Sequence, residues 1–311
     1  MSEFSLIYQH FKNCTPKNPL TQIGIGDDCA VSNIPPNAQL VSCVDTLVMG
    51  RHFPHSTSAY AVGFKSVAVN LSDLASMGAT PYAILLGLSL PSHFANDEFL
   101  GEFTQGLADI CRAFNVDLIG GDTTKSEILT ISVTALGFVP SGQAILRSGA
   151  KVGDVVCVSS EIGSASFALK QILNGEKSDL QNALDLPNPQ IKLGQKLIGF
   201  ANSMIDISDG LGQDFGHILT ANDVGAVLDL AKIPCNRLLQ TLPNDEKWQH
   251  ILNGGDDYQL CFTMSQENFA KFNELYPNEI FAIGEIVADK GLKLVNHGEK
   301  VNFTINGWQH F

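Results

Sequence analysis

The stretch SAYAVGFKSVAVNLSDLASMGATPYAILLGLSL (58–90) decides the architecture. Its first part, 58–77, is mostly apolar and free of proline, which predicts a long buried helix behind Ser58. Gly78 and Pro81 stop that helix, since glycine is entropically costly in a helix and proline lacks the N–H the ladder needs. The apolar run over 82–90 is of strand length. A long apolar helix passed directly to an apolar strand predicts a mixed α/β arrangement.

The flanks repeat this mixture. Upstream, 39–44 reads as a strand ending at Asp45. Before it, Phe4, Ile7, Tyr8 and Phe11 fall at helical spacing over 2–12 behind a serine cap, and a Gly/Asp turn follows. Downstream, 97–114 is helical, 116–119 is a buried strand running into Gly120-Gly121-Asp122, and 128–139 is a strand rich in β-branched residues. The segment from Pro140 to Asp154 is rich in Gly and Ser, lacks a period and marks the domain boundary. A second α/β unit starts there, with strands near 155–159, 226–230, 258–263 and 280–287. Helices are expected near 164–173 and 190–200, and a strand-to-helix turn at 206–210. The expectation is an α/β chain of the α+β two-domain kind, with domains at 1–140 and 150–311.

With 311 residues, 44% hydrophobic and 16% charged, the chain has globular rather than disordered composition. A net charge of −13 and the lack of any Lys/Arg-rich run argue against nucleic acid as a partner. An acidic chain can still bind an anionic nucleotide when divalent cations sit between its carboxylates and the phosphates. Seven cysteines without a CxxC pair argue against a disulfide framework and against zinc, and read as buried thiols in a reducing compartment. The opening MSEFSLIYQHF has no basic, uninterrupted apolar leader, and no stretch approaches the ~20 apolar residues of a membrane span. A cytoplasmic location without membrane attachment is expected.

Aspartates recur where elements are expected to end or turn: Gly26-Asp27-Asp28, Asp45, Asp73, Gly120-Gly121-Asp122, Asp206-Ile207-Ser208-Asp209-Gly210 and Gly254-Gly255-Asp256-Asp257. Any one Gly-Asp pair is an ordinary turn. The repetition points instead to magnesium, a hard cation that takes oxygen ligands and leaves positions for water or phosphate. In the helix over 58–77, Ser66, Asn70 and Asp73 form one polar stripe. If that helix is buried, Asp73 must be paired or bind a metal; otherwise the stripe faces water. Lys65 lies off the stripe and either neutralises phosphate or snorkels.

Familiar phosphate cradles are missing. The run from Gly120 to Ser126 has Thr124 where a P-loop needs glycine, and Gly24-Ile25-Gly26 lacks the third glycine of a dinucleotide fingerprint. The histidines show neither a triad context nor a His-Glu-x-x-His spacing. His52 lies close to the acidic set in sequence, as an ordinary loop histidine or a ligand. Trp308 is a packing anchor or a stacking surface.

Taken together, GDD (26–28), Asp45-Thr46-Leu47, His52-Phe53, Lys65 with AVNLSDLASMGA (68–79), GGDTT (120–124), MIDISDGL (204–211), GGDDYQL (254–260) and the tail GWQHF resemble the thiamine-monophosphate kinase family. The resemblance covers essentially the whole chain in order. It implies the aminoimidazole ribonucleotide synthetase-like fold, with an N-terminal mixed sheet that pairs in a homodimer and a C-terminal α/β domain. It implies ATP- and magnesium-dependent conversion of thiamine monophosphate to thiamine diphosphate by in-line transfer. Carried over by motif, Asp28, Asp45, Asp73, Asp122, Asp206 and Asp209 hold several magnesium ions, with the main chain of Val44 beside Asp45. Gly121, Asp122, Arg147 and Ser208 are assigned to ATP, and His52, Asp257 and Trp308 to thiamine monophosphate. Asp45, Asp209 and Arg147 are the candidate catalytic residues, with an ordinary surface arginine as the other reading of Arg147.

Two positions depart from the family pattern: Asp256 where it has glutamate, and Arg51 where an acid often precedes His-Phe. Both bear on substrate contacts. Sister enzymes of the same fold, selenophosphate synthetase and aminoimidazole ribonucleotide synthetase, would share the nucleotide and metal logic. The Asp-Ile-Ser-Asp-Gly and Gly-Trp-x-His-Phe segments, with no N-terminal reactive cysteine in a glycine-rich context, favour the thiamine enzyme.

Overall fold

The computed structural model describes residues 7–307. The chain divides into two compact units, Met1–Leu74 with Ala79–Gly142, and Ala75–Gly78 with Gln143–Phe311. The expected helix over 2–12 lies partly outside the described residues; its described part, Ile7–Phe11, is a π-helical turn that buries Phe11.

In the first unit, β1 (Thr21–Ile23) and β2 (Val31–Ser32) form a ribbon. β3 (Ala38–Val48) leads to α1 (Ala59–Ser76), whose last residues already belong to the second unit. Next come β4 (Thr80–Leu90), α2 (Asp97–Phe114), β5 (Asp117–Lys125) and β6 (Thr130–Pro140). The four long strands make one sheet in the order β3-β6-β4-β5, antiparallel except for the parallel β4/β5 pair. Asn96 caps α2 by accepting the Phe99 N–H, and two acids follow in the first turn where the helix dipole favours them.

Helices α1 and α2 cross at a glycine pair. A Cβ on Gly63 would overlap the carbonyl oxygen of Phe103, and one on Gly106 would overlap that of Tyr60. Both glycines are kept inside helices, against their propensity, because the two backbones touch there.

Two expectations at the acidic motifs are corrected. β3 does not end at Asp45 but runs on to Val48, paired in register with β6 from Ala38↔Pro140 to Val48↔Thr130. Gly120-Gly121-Asp122 is not a turn after a strand but part of β5, where Gly121 lies opposite Leu86 and Asp122 opposite Gly87. Local composition favours a turn at both places, and long-range pairing overrides it.

The second unit contains β7 (Val155–Val158), α3 (Ser164–Leu173), α4 (Gln181–Asp185), α5 (Ile191–Lys196), β8 (Ser203–Ile207), α6 (Leu211–Asn222) and β9 (Gly225–Asp229). A 3₁₀ turn (Leu230–Lys232), α7 (Arg237–Gln240), α8 (Asn244–Asn253), β10 (Gln259–Met264), α9 (Gln266–Leu275), β11 (Phe281–Val287), β12 (Gly291–Asn296) and β13 (Glu299–Val301) follow. Its sheet order is β13-β12-β9-β11-β7-β10-β8, with only β12/β9 parallel. The core packs Val156, Val158, Ile205 and Ile207 of the sheet against Leu211, Phe215 and Ile218 of α6. That packing aims the β8-to-α6 turn, so its position is set by buried apolar area rather than by the turn itself.

Candidate functional site

In the first unit the site starts from α1. Ser66 and Asn70 are fully buried, so the polar stripe faces protein rather than water. Ser66 Oγ donates to Gly63 O at 2.9 Å, Asn70 Nδ2 donates to Ser66 O at 3.0 Å, and Asn70 Oδ1 accepts the Asp45 N–H at 3.0 Å. A buried polar group must be satisfied internally, and Asn70 meets this by holding β3 at Asp45. Cys43, two residues before Asp45, donates its thiol to Asn70 O at 3.4 Å. Burial raises the Cys43 pKa most, followed by the charge and hydrogen bond of Asp73 and then the charge of Asp45. With both of these half-buried carboxylates acting on it, the thiol stays protonated.

Register separates the other acids. Asp45 lies in a row with Val133, Leu86 and Gly121, whereas Asp122 lies in the next row with Gly87, Ser132 and Thr46. Successive residues point to opposite faces, so Asp45 and Asp122 lie on opposite sides of the sheet. Asp28 is exposed, and its N–H donates to Asp27 Oδ1 at 2.9 Å, an interaction that shapes the loop. Val44 is exposed, opposite Thr134 in the ladder. His52 is held by the end of β3: its Nδ1 accepts the Val48 N–H at 3.0 Å, which puts the proton of the neutral ring on Nε2. Lys65 is buried, with Nζ 3.5 Å from His52 O.

In the second unit, β8 delivers a buried Asp206 and the loop Ser208–Gly210, with Ser208 and Asp209 half-buried. A residue that the sequence reading missed organises that loop. Asp214, buried in the first turn of α6, accepts the N–H groups of Ser208 at 3.0 Å, Asp209 at 2.9 Å and Gly210 at 3.1 Å. Burial, then the charges of Asp206 and Asp209, raise its pKa to about 7 against the pull of those amides. The available signal was an acid in the first turn of a helix that starts at glycine, without a side-chain cap.

The Gly254–Tyr258 loop is tied to the same place. Asp256 N–H donates to Ser208 O and Tyr258 N–H to Ile207 O, both at 2.8 Å. Asp256 and Tyr258 take left-handed φ of 69° and 48°, and Tyr258 OH donates to Asp256 Oδ1 at 3.1 Å. Of the two acids Asp256 is half-buried, while Asp257 is buried and turned to the start of α3. There Asp257 accepts the Gly163 N–H at 2.7 Å and the Ala165 N–H at 3.5 Å. Burial raises the Asp257 pKa to about 7. Arg147 is exposed; its carbonyl accepts Asn222 Nδ2 at 2.9 Å while Asn222 Oδ1 takes the Gly149 N–H. Trp308 lies outside the described residues.

Among the described residues no three His, Cys, Asp or Glu side chains converge as a ready-made metal cage. The acids come instead in smaller sets, Asp45 with Asp73 around Cys43, and Asp206 with Asp209 around Asp214. Such sets fit magnesium, which is usually held by one or two carboxylates plus substrate phosphates rather than by an all-protein cage.

Residues 26–139 match the family described as AIR synthase related protein, N-terminal domain, and residues 151–296 match its C-terminal domain. The chain is 39% identical to the thiamine-monophosphate kinase of Haemophilus influenzae over 326 aligned residues, covering 100% of this chain and 98% of the relative. It resembles the crystal structure of the enzyme of that name from Stenotrophomonas maltophilia K279a, with a TM-score of 0.83, 35% identity and 96% of each chain covered. It also resembles AaThiL complexed with AMPPCP and TMP, with a TM-score of 0.78, 30% identity and 92% of each chain covered. Identity of this extent over essentially the full length of both chains means that the chain belongs to the thiamine-monophosphate kinase family.

Proposed function

We propose that this chain transfers the γ-phosphoryl group of ATP to the phosphate of thiamine monophosphate, giving thiamine diphosphate and ADP. The observation that carries this reading is the full-length likeness to thiamine-monophosphate kinases, together with the fold shared with AaThiL in complex with AMPPCP and TMP. The acceptor oxygen is already anionic at neutral pH, so no strong base is required. The scarcity of well-placed histidine bases is consistent with that. The chain's own contribution is positioning. Asp214 holds the main chain of Ser208 and Asp209, Asn70 holds Asp45, and Val48 holds the His52 ring with Nε2–H as donor.

By family resemblance, Asp28, Asp45, Asp73 and Asp122 of the first unit, with the Val44 main chain, would hold magnesium, as would Asp206 and Asp209 of the second. When bound, magnesium supplies the positive charge that offsets repulsion between two anionic reactants. Gly121, Asp122, Arg147 and Ser208 are assigned to ATP on the same ground, and His52, Asp257 and Trp308 to thiamine monophosphate. Asp257 would act there through the start of α3, which it holds.

The working form is a cytoplasmic homodimer. On the sheet face opposite α1, Leu40, Val44 and Leu85 are exposed, an apolar surface suited to a second copy. No described helix is long and apolar enough to cross a membrane. The test is product formation from ATP and thiamine monophosphate with magnesium, beside an EDTA control and unphosphorylated thiamine. Sedimentation of the same sample reads the oligomer. Magnesium-dependent thiamine diphosphate from the monophosphate alone is expected; none, with ATP still bound, would move the assignment to a sister enzyme of the fold or to a non-catalytic metal- and nucleotide-binding regulator.

A further inference from the structure

The dipeptide Asn-Gly occurs three times, at 174–175, 253–254 and 306–307. Glycine has no Cβ to crowd its nitrogen, so there the main chain can turn on the preceding side chain and close a cyclic imide. Closure needs the asparagine Cγ free to swing round and the glycine N–H free to give up its proton. The fold treats these places differently. Asn253, the buried last residue of α8, donates from Nδ2 to Thr304 O and Gln249 Oε1, both at 3.1 Å, and accepts the Asn306 N–H on Oδ1 at 2.9 Å. Both amide hydrogens and the carbonyl oxygen are engaged, so turning this Cγ breaks every one of these bonds. Asn174, exposed at the C-cap of α3, sits at φ −79° and ψ 0°, and the Gly175 N–H that would attack is donated to Ile172 O at 2.9 Å. Asn306 lacks both restraints. It is exposed in the irregular tail 302–307 that follows β13, and among the described residues neither its side-chain amide nor the Gly307 N–H has a hydrogen-bond partner.

We propose that Asn306 is a modification site at which the chain converts its own asparagine to aspartate or isoaspartate. Gly307 N attacks Asn306 Cγ, the new N–C bond forms as the Cγ–Nδ2 bond breaks, and ammonia leaves carrying the Gly307 amide proton. Water then opens the imide at either carbonyl, its hydroxyl going to carbon and its proton to nitrogen. Either product places a new negative charge at 306, and isoaspartate also adds a carbon to the main chain before Gly307. Gly307 lies so close on Gln213 that a Cβ there would stand 2.3 Å from Gln213 Oε1, and Gln213 Nε2 donates to Asp209 Oδ2 at 3.3 Å. The longer chain therefore has to move Gly307 or the side chain that touches Asp209. No step depends on the enzymatic activity of the protein.

The test keeps the purified full-length protein warm at pH 8, native and in urea, and follows the amide-to-acid mass shift at each of these asparagines by peptide mapping. In the native protein Asn306 should convert about tenfold faster than Asn174, the effect of one net hydrogen bond on the barrier, with Asn253 slowest. In urea the rates should converge, since the restraints belong to the fold and each asparagine follows a leucine or isoleucine. An enzyme that methylates isoaspartate should label the product at 306, and Gly307→Val should slow its formation without changing the rates at 174 and 253. A native rate at 174 equal to or above that at 306, a ranking that survives in urea, or aspartate without isoaspartate at 306 each overturns the proposal.

Discussion

Asn70 Oδ1 lies 3.0 Å from the main-chain nitrogen of Asp45, so a buried amide on α1 holds the strand residue that carries a proposed metal-binding carboxylate. Asn70→Leu deletes this acceptor and the donor to Ser66 O, leaving the Asp45 N–H without it. The expected cost is about 1–3 kcal/mol, read as a lower urea midpoint, with kcat reduced as well. Asn70→Asp keeps an acceptor for the amide but buries a carboxylate near Asp45 and Asp73, and should lose at least as much stability. Equal midpoints for Asn70→Leu and wild type would remove Asn70 as the anchor.

Asp45→Asn and Asp209→Asn should each lower kcat by about a hundredfold or more, the scale expected when a group stabilising transition-state charge is lost. Neither should unfold the protein. Both residues stand near other acids, Asp45 beside Cys43 with Asp73 and Asp209 beside Asp214, so neutralising one relieves like-charge repulsion. Melting temperatures in EDTA should match or exceed that of wild type. Wild-type turnover in both variants would end the metal assignment.

Asp257 provides the pH prediction. Its pKa rises from 3.8 to about 7 on folding, chiefly by burial, so the folded state binds the proton more tightly than the unfolded chain. The contribution to stability is full below about 4 and is lost as pH rises through about 7, each tenfold difference in proton affinity between the two states being worth about 1.4 kcal/mol. Asp214 contributes in the same direction over the same range, so thermal melts without metal should fall by several degrees between pH 5 and pH 8, and Asp257→Asn should lessen that slope without abolishing it. A variant as steep as wild type would show that another group drives it.

Gly63→Ala and Gly106→Ala each place a methyl group into a carbonyl of the facing helix. The helices must separate, at a cost of about 1–3 kcal/mol or more, despite the better helix propensity of alanine. Gly101, also in α2, has nothing within 4 Å of where its Cβ would stand, and Gly101→Ala should be neutral or slightly stabilising. Denaturant titration of the three variants checks both signs at once.

Much of the fold was legible where the signal is local. The helix at Asp97–Phe114 coincides with its expected span because its cap, first-turn acids and apolar period are all written in adjacent residues. The helix at Ser164–Leu173 does so too. β12, β13 and the ribbon β1–β2 were not read: β12 is placed by the distant β9, and β1, β2 and β13 have only two or three residues each, too few for an alternating pattern to show.

By itself, the sequence determined which residue types occur in which motifs, that the stripe on α1 is polar on an otherwise apolar helix, and which family the motifs resemble. Spacing along one chain carries that information, since helical period and capping are short-range. Only the tertiary structure decided that the stripe is buried against β3, that Asp45 and Asp122 point to opposite sides of one sheet, and that Asp257 serves the start of α3. It also revealed Asp214 beneath the Ser208–Gly210 loop and Asn253 clasping the tail. Each of these depends on the register of paired strands or on hydrogen bonds to main-chain groups brought close by core packing, and every residue type offers the same N–H and C=O apart from proline's missing N–H.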